Sequence, residues 1–344
     1  METWKETTRQ ARNMNIFREE IDDFLPTKIL DFHVHVFPEA IMSPDHEGWS
    51  AGGHRIRRYT LDELRGDLAD LYPGRDCYAV CFGTPHRDMD SVINNDYVAR
   101  ECDHKRFFPF RLIRPEEDPD AVRRDIIERR FLGLKPYLRY VDTPDPNDVE
   151  IIDMLPDPLM AVADELGLLV MLHVPRKERL ADAKNQEQVV EMANRFPNAT
   201  IILAHIGRAY YLKNIVGHLD RIAPLPNVYF DVAMLNHWEV LEYFFANVEP
   251  HKVLYGTDLP IAVAPGKSIE INHQYTYVTP VPWELSITDD HGKLVFTSFA
   301  YEELRAIRKA VERLGLSRKF VEDMFFRNGM KLIRAVEKRM KGTQ

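Results

Sequence analysis

Eight short apolar runs recur along the chain, and most are followed by a segment of helical periodicity. The runs are Ile29–His35, Cys77–Phe82, Phe107–Ile113, Leu132–Tyr137, Leu168–His173, Thr200–His205, Asn227–Val232 and Lys252–Asp258. Their β-branched and aromatic content favours strand over helix. Helical spacing of apolar residues appears over 60–71, 88–104, 118–130, 157–166, 185–196, 211–221, 238–247 and 300–314, with a final helix over 317–339. Strands that alternate with helices pair in parallel, because a crossover helix returns the chain to the same edge. Eight such units predict a closed (β/α)₈ barrel, the TIM-barrel architecture, and leave an open doubly wound sheet with units to spare.

Two segments fall outside this rhythm. Residues 1–28 read as a helical extension, with Met14, Phe17, Ile21 and Phe24 at helical spacing, packed outside the body or across a partner subunit. Residues 260–299 follow the eighth run and carry Pro260, Pro265, Pro280, Pro282, Tyr275, Tyr277 and Trp283. A loop after the eighth strand emerges on the face where barrel active sites lie, so this insertion is expected to act as a lid. The barrel domain itself is expected to span 29–340. The connection 37–59 is also long; its His46, Trp49, His54, Arg55, Arg57 and Arg58 are candidates for the mouth of a pocket.

Composition narrows the functions. The 344 residues carry a net charge of −9, which argues against a nucleic-acid surface. No run of ~18 apolar residues is present, so no membrane span is expected, and Met1–Glu6 lacks the apolar core of a secretory signal. Cys77, Cys81 and Cys102 form no CxxC pair and fit a reducing compartment, so a cytoplasmic location is expected.

The chemistry sits where the apolar runs end. His33 and His35 lie two apart on the first run and share one face of a strand. Two imidazoles so placed can hold one cation at about 2.0–2.1 Å each. His173, His205 and Asp258 close the fifth, sixth and eighth runs. In a barrel those ends converge on one rim. A lone histidine at a strand end is usually structural; four with an aspartate are hard to explain in that way.

The combination Asp31-Phe32-His33-Val34-His35, Gly133-Leu134-Lys135-Pro136, Leu172-His173, Ala204-His205-Ile206-Gly207, Tyr255-Gly256-Thr257-Asp258 and Asn328-Gly329-Met330 resembles the amidohydrolase superfamily. Within it, the chain resembles the branch that includes aminocarboxymuconate-semialdehyde decarboxylase and related hydrolases. The resemblance implies one divalent metal held by His33, His35, His173 and Asp258, with zinc first and manganese or another divalent ion as alternatives. It implies that His205 is catalytic without binding the metal and that Asp258 is both ligand and catalytic base. Other branches hold two metals bridged by a carboxylated lysine on the fourth strand, where Lys135 stands; an uncarboxylated Lys135 would instead hold a substrate anion.

A metal-activated water in such a site cleaves amides, esters or lactones. The same set can hold an aromatic or enol acid for loss of CO₂. Some decarboxylases of the branch carry Glu-x-His where this chain has His-x-His, which tilts the reading toward a hydrolase. Arg176 and Arg208, each three residues past a histidine, suit a carboxylate on the substrate. Tyr137, Trp283 and His237 are further pocket candidates, and Asp231 is expected to orient a ligand or the substrate. The expected partners are a small-molecule substrate and further copies of the chain, in a homodimer or larger homo-oligomer.

Overall fold

The structure is a computed structural model that describes residues 11–342 other than Pro146, Leu285 and Asp290. Eight parallel strands pair in sequence order: β1 (Lys28–His35), β2 (Asp76–Phe82), β3 (Phe107–Leu112), β4 (Gly133–Lys135), β5 (Leu169–Leu172), β6 (Thr200–Leu203), β7 (Val228–Asp231) and β8 (Val253–Leu254). The ring is completed between β1 and the extended chain after β8. There the amides of Phe32, Asp258 and His35 donate to the carbonyls of Tyr255, His33 and Leu259, each at 2.8 Å. The expected barrel is therefore present.

The β1–β2 ladder shifts register between Asp31 and Val34, across Phe32 and His33. The Asp31 carboxylate accepts the amides of His33 (3.1 Å) and Thr257 (2.9 Å), so the irregularity is stitched to the strand that closes the barrel. Such bulges re-aim a side chain at a barrel rim.

Helices cover the outside, and their starts are written in the sequence. Thr60 and Glu63 form a reciprocal capping box for Leu61–Leu71. Asp90, Asp118 and Asp182 accept the first amides of Ser91–Glu101, Pro119–Arg129 and Ala183–Arg195. Asn328, opening the last helix (Asn328–Gly342), donates to the carbonyls of Pro250 (2.8 Å) and Val253 (2.9 Å). A Cβ at the next residue, Gly329, would fall 2.8 Å from the side chains of Leu30 and Phe32. Only glycine lets that helix lie on β1.

Two helical expectations fail. Residues 211–221 form a short 3₁₀ turn (Leu212–Asn214) and further turns. Ile215, Leu219 and Ile222 are still buried, but Gly217 at φ +77° breaks the helix between them. The final helix is interrupted by a π-helical stretch, Asp323–Arg327.

Residues 11–21 are helical, and Phe17 packs 6.3 Å from the ring of Tyr301 on the helix Phe299–Arg313. Glu20 and Asp23 pair with Arg305 and Arg308 of that helix at 2.7 Å. Residues 1–10 of the expected extension lie outside the described residues.

The segment after β8 forms a small sheet of its own. Strands β9 (Lys267–Ile271) and β10 (Gln274–Thr279) are antiparallel, and β11 (Ser286–Thr288) runs parallel to β10. Asn272 and His273, both at positive φ, make the two-residue hairpin turn. A second hairpin, Trp49–Ala51 with His54–Ile56, rises from the connection after β1. Its turn residue Gly53 packs so closely that a Cβ there would fall 2.6 Å from the carbonyl oxygen of Pro282. The two additions therefore meet above the carboxyl end of the barrel.

Candidate active site

β1 delivers His33 and His35 to the rim, and each ring is tied from behind. His33 Nδ1–H donates to Asp231 Oδ2 at 2.9 Å, and His35 Nδ1–H donates to the Gly83 carbonyl at 2.8 Å. Each Nε2 is thereby left with its lone pair facing inward. Asp258, at φ +69° just past β8, brings Oδ1 to 3.2 Å from His35 Nε2 and 3.6 Å from His33 Nε2. One donor atom from each of the three lies within 4.8 Å of the other two.

Electrostatics keep this trio ready for a cation. Burial, and then the ammonium of Lys135, push His33 well below its ordinary pKa, so the ring is neutral. Burial alone would raise the Asp258 carboxyl. Contact with His35, and then with the nearby His33 and His205, outweighs it and holds Asp258 well below the usual carboxylate range. Two imidazoles tied from behind through Nδ1 and an ionised carboxylate are the donor set a divalent metal takes.

A second trio, His33, His205 and Asp231, is equally compact. Both Asp231 oxygens are already engaged, however. Oδ2 accepts from His33, while Oδ1 accepts the amides of His205 (2.8 Å) and Ala233 (3.1 Å). Asp231 is thus a clamp that aligns β1, β6 and β7, and the first trio is the better metal site.

His173 faces the same cavity from β5 but stands outside both compact groups. Its ring is 5.4 Å from that of His205 and 4.6 Å from that of Tyr137, and its Nδ1 has no hydrogen-bond partner among the described residues. Burial and the nearby Arg208 keep it neutral, well below its ordinary pKa.

His205 follows β6 in a run of left-handed residues: His205, Ile206, Gly207 and Arg208 have φ of +55°, +53°, +64° and +63°. Non-glycine residues rarely adopt this conformation, and such strain concentrates at functional sites. His205 Nδ1–H donates to the Ala233 carbonyl at 2.9 Å, which leaves Nε2 as the free basic atom, 4.0 Å from Asp258 Oδ2. Burial, then His33, lower its pKa to about 4.

Around this centre lies a cavity of about 640 Å³. Of the expected substrate residues, Arg208, Tyr137 and Trp283 line it. The Arg208 Nη1 donates to the Val174 carbonyl at 3.2 Å, and its Nε is buried without a partner among the described residues. Arg176 is turned away: its Nε donates to Asp182 Oδ1 at 3.0 Å, the oxygen that caps the helix Ala183–Arg195. Lys135 is fully buried and does not reach the cavity wall. Its Nζ lies 3.2 Å from His33 Nε2, and burial lowers its pKa to about 8. A lysine so placed meets His33 at the nitrogen that faces the metal position. His237 also lies off the cavity.

Several wall residues escaped the sequence reading. Tyr210 stacks on Tyr275 of the insertion, with centroids 4.7 Å apart, and Arg179 lies over both rings at 5.1 and 4.5 Å. Tyr210 stands two residues past Arg208, which the sequence reading did name. Arg139 and Glu284 approach to 3.8 Å at the mouth. No local signal announces that pair, which joins the chain after β4 to the insertion. Of the connection 37–59, His46, Trp49 and Arg55 line the cavity, whereas His54, Arg57 and Arg58 do not.

The model of a family described as amidohydrolase matches residues 30–274. No curated protein sequence matches the chain. Among solved structures, amidohydrolase 2 from Bifidobacterium longum subsp. infantis is 18% identical, with a TM-score of 0.55 over 90% of this chain and 99% of that one. The 5-carboxyvanillate decarboxylase LigW from Sphingomonas paucimobilis is 16% identical, with a TM-score of 0.54 over 90% and 99%. A probable 2-pyrone-4,6-dicarboxylic acid hydrolase from Acinetobacter baumannii is 14% identical, with a TM-score of 0.53 over 89% and 98%. At these identities the likeness is one of fold. No helix among the described residues is long and apolar enough to cross a membrane.

Proposed function

The chain belongs to the amidohydrolase family, and from that membership we propose that it is a metal-dependent hydrolase of a carbonyl-type bond (amide, ester or lactone) in a small, carboxylate-bearing substrate. The observation that carries this reading is the back-tied trio of His33, His35 and Asp258. These three would hold the ion, with His173 facing them, and zinc is the ion we favour. When bound, such an ion supplies Lewis-acid chemistry, polarising a carbonyl and making water a better nucleophile.

The protein's own groups do the rest. Asp258 is ionised and can take a proton from attacking water. His205 Nε2, 4.0 Å from Asp258 Oδ2, is placed to receive that proton and pass it to the leaving group. Arg208 lines the wall with an Nε that has no partner among the described residues, which suits a substrate carboxylate. Tyr137, Trp283 and the Tyr210–Tyr275 stack give flat apolar surface for a ring. The insertion, which supplies Tyr275 and Trp283, acts as a lid over this wall.

A second reading, a metal-dependent non-oxidative decarboxylase of an aromatic or enol acid, is favoured by the same aromatic wall. The fold-level neighbours named as decarboxylases agree with it. There His205 would deliver a proton to the carbon that loses CO₂. We place the enzyme in the cytoplasm as a homodimer or larger homo-oligomer acting on a small molecule, with no nucleic-acid or membrane partner; the acidic net charge of −9 supports the last point.

The deciding experiment offers the zinc-loaded protein a set of lactones, esters and amides and a set of hydroxylated aromatic acids. Release of a new carboxylate without CO₂ supports the hydrolase. Release of CO₂ without hydrolysis overturns it in favour of the decarboxylase.

A further inference from the structure

We propose that Glu303 is a positioning residue that acts on His205 through a single peptide group, the one joining Ala233 to Met234. This rests on the reading of His205 as the proton-handling group of the site. The carbonyl of that peptide accepts His205 Nδ1–H at 2.9 Å, and its amide donates to Glu303 Oε2 at 3.0 Å. Glu303 lies on the helix Phe299–Arg313, outside the barrel ring, and is fully buried. Neither it nor the helix touches the cavity at this point.

The turn that carries the peptide explains why a holder is needed. Leu235 N donates to Val232 O at 3.1 Å, closing a four-residue turn with Ala233 and Met234 at its centre. Met234, the third residue, has φ +59°, while Ala233 is not at positive φ. That is the type II pattern, which normally wants glycine or asparagine in the third place. The alternative type I turn suits methionine and differs by a flip of the central peptide. The flip would turn the Ala233 carbonyl away from His205. The chain therefore keeps the less comfortable turn at the place where its central carbonyl fixes the His205 tautomer.

Two contacts oppose the flip, one on each end of the peptide: His205 on the oxygen and Glu303 on the nitrogen. Asp231 Oδ1 holds the preceding amide, that of Ala233, at 3.1 Å and leaves the central peptide free to rotate. Glu303 suits the task as a neutral acceptor. Burial, then the nearby Asp31, push its pKa well above the carboxylate range, and Oε1 finds no partner among the described residues. What the peptide needs from Glu303 is an oxygen at that place, not a charge.

Glu303→Gln keeps such an oxygen, whereas Glu303→Leu removes it. Each zinc-loaded variant is compared with wild type for metal content, kcat and KM on whichever substrate is turned over. His205 ring-nitrogen shifts are read by ¹⁵N NMR and assigned against His205→Asn. In Glu303→Leu, His205 should lose its pure Nδ1–H signature. Its kcat should fall roughly tenfold or more, with KM and metal content held near wild type. Glu303→Gln should keep the wild-type signature and stay within about threefold in kcat.

If Glu303→Leu keeps both tautomer and kcat, Glu303 is only core packing and the proposal is wrong. Equal loss in both variants means that charge matters rather than the acceptor, which also overturns it. Should Glu303→Leu not fold, Glu303→Asp withdraws the carboxyl by one methylene and is expected to show the same loss. A changed tautomer with unchanged turnover leaves the peptide link standing and refutes the role given to His205.

Discussion

Replacing Asp231 with Asn tests how the metal trio is prepared. Asp231 accepts three donors: His33 Nδ1–H, the His205 amide and the Ala233 amide. Asn has the same shape but only one accepting oxygen. Turned toward His33, that oxygen leaves an NH₂ group facing two amide donors. Turned toward the amides, it leaves the NH₂ facing one ring nitrogen. The second arrangement has fewer clashes, so His33 must offer Nδ1 as acceptor and carry its proton on Nε2. A protonated Nε2 cannot bind a metal. Loss of such a supporting contact typically weakens metal binding 10–100-fold, about 1.4–2.7 kcal/mol. The metal-free fold should survive, because both amides keep their acceptor.

Asp231→Ala differs, since it strands all three buried donors at about 1–3 kcal/mol each. The total, roughly 3–9 kcal/mol, rivals a whole domain's stability of about 5–15 kcal/mol. The assay is zinc affinity by competition with a chromogenic chelator, beside thermal unfolding of the metal-free protein. Wild-type zinc affinity in Asp231→Asn would refute the clamp, as would an Asp231→Ala that folds and binds like wild type.

Three further outcomes are expected. His205→Asn should cut turnover by about 10²–10⁴ while metal content stays near wild type, and parallel loss of metal would make His205 a ligand instead. Arg208→Gln should raise KM by roughly 10–150-fold, the equivalent of a charged hydrogen bond worth about 1.5–3 kcal/mol, whereas Arg176→Gln, paired with Asp182, should leave KM unchanged in the same assay. Replacing 267–295 with a Gly-Ser turn should raise KM or abolish turnover without removing metal, and normal turnover in that variant would make the segment structural.

The barrel was legible because its strands are buried on both faces and read as continuous apolar runs bounded by turns. The helix expected at 211–221 was not, since successive turns around Gly217 bury Ile215, Leu219 and Ile222 as well as a helix would. His33, His35, His205 and Asp258 could be placed on one rim because strand ends converge there. The fates of Arg176 and Arg208 could not be told apart, as both stand three residues past a histidine. An aspartate six residues downstream captures the first and nothing comparable captures the second. Lys135 was assigned to the correct strand, but strand alternation does not say whether a side chain meets substrate or another buried group. Glu303 gave no signal at all, because its partner is a backbone amide 69 residues away.

The most direct measurement is the metal content of the protein purified without chelator, by inductively coupled plasma mass spectrometry, for wild type and His33→Ala/Asp258→Ala. About one divalent ion per chain is expected in wild type, and none in the double variant, with turnover lost alongside it. Wild-type protein without a stoichiometric ion, still active after dialysis against a chelator, would contradict a metal-dependent enzyme built on His33, His35 and Asp258.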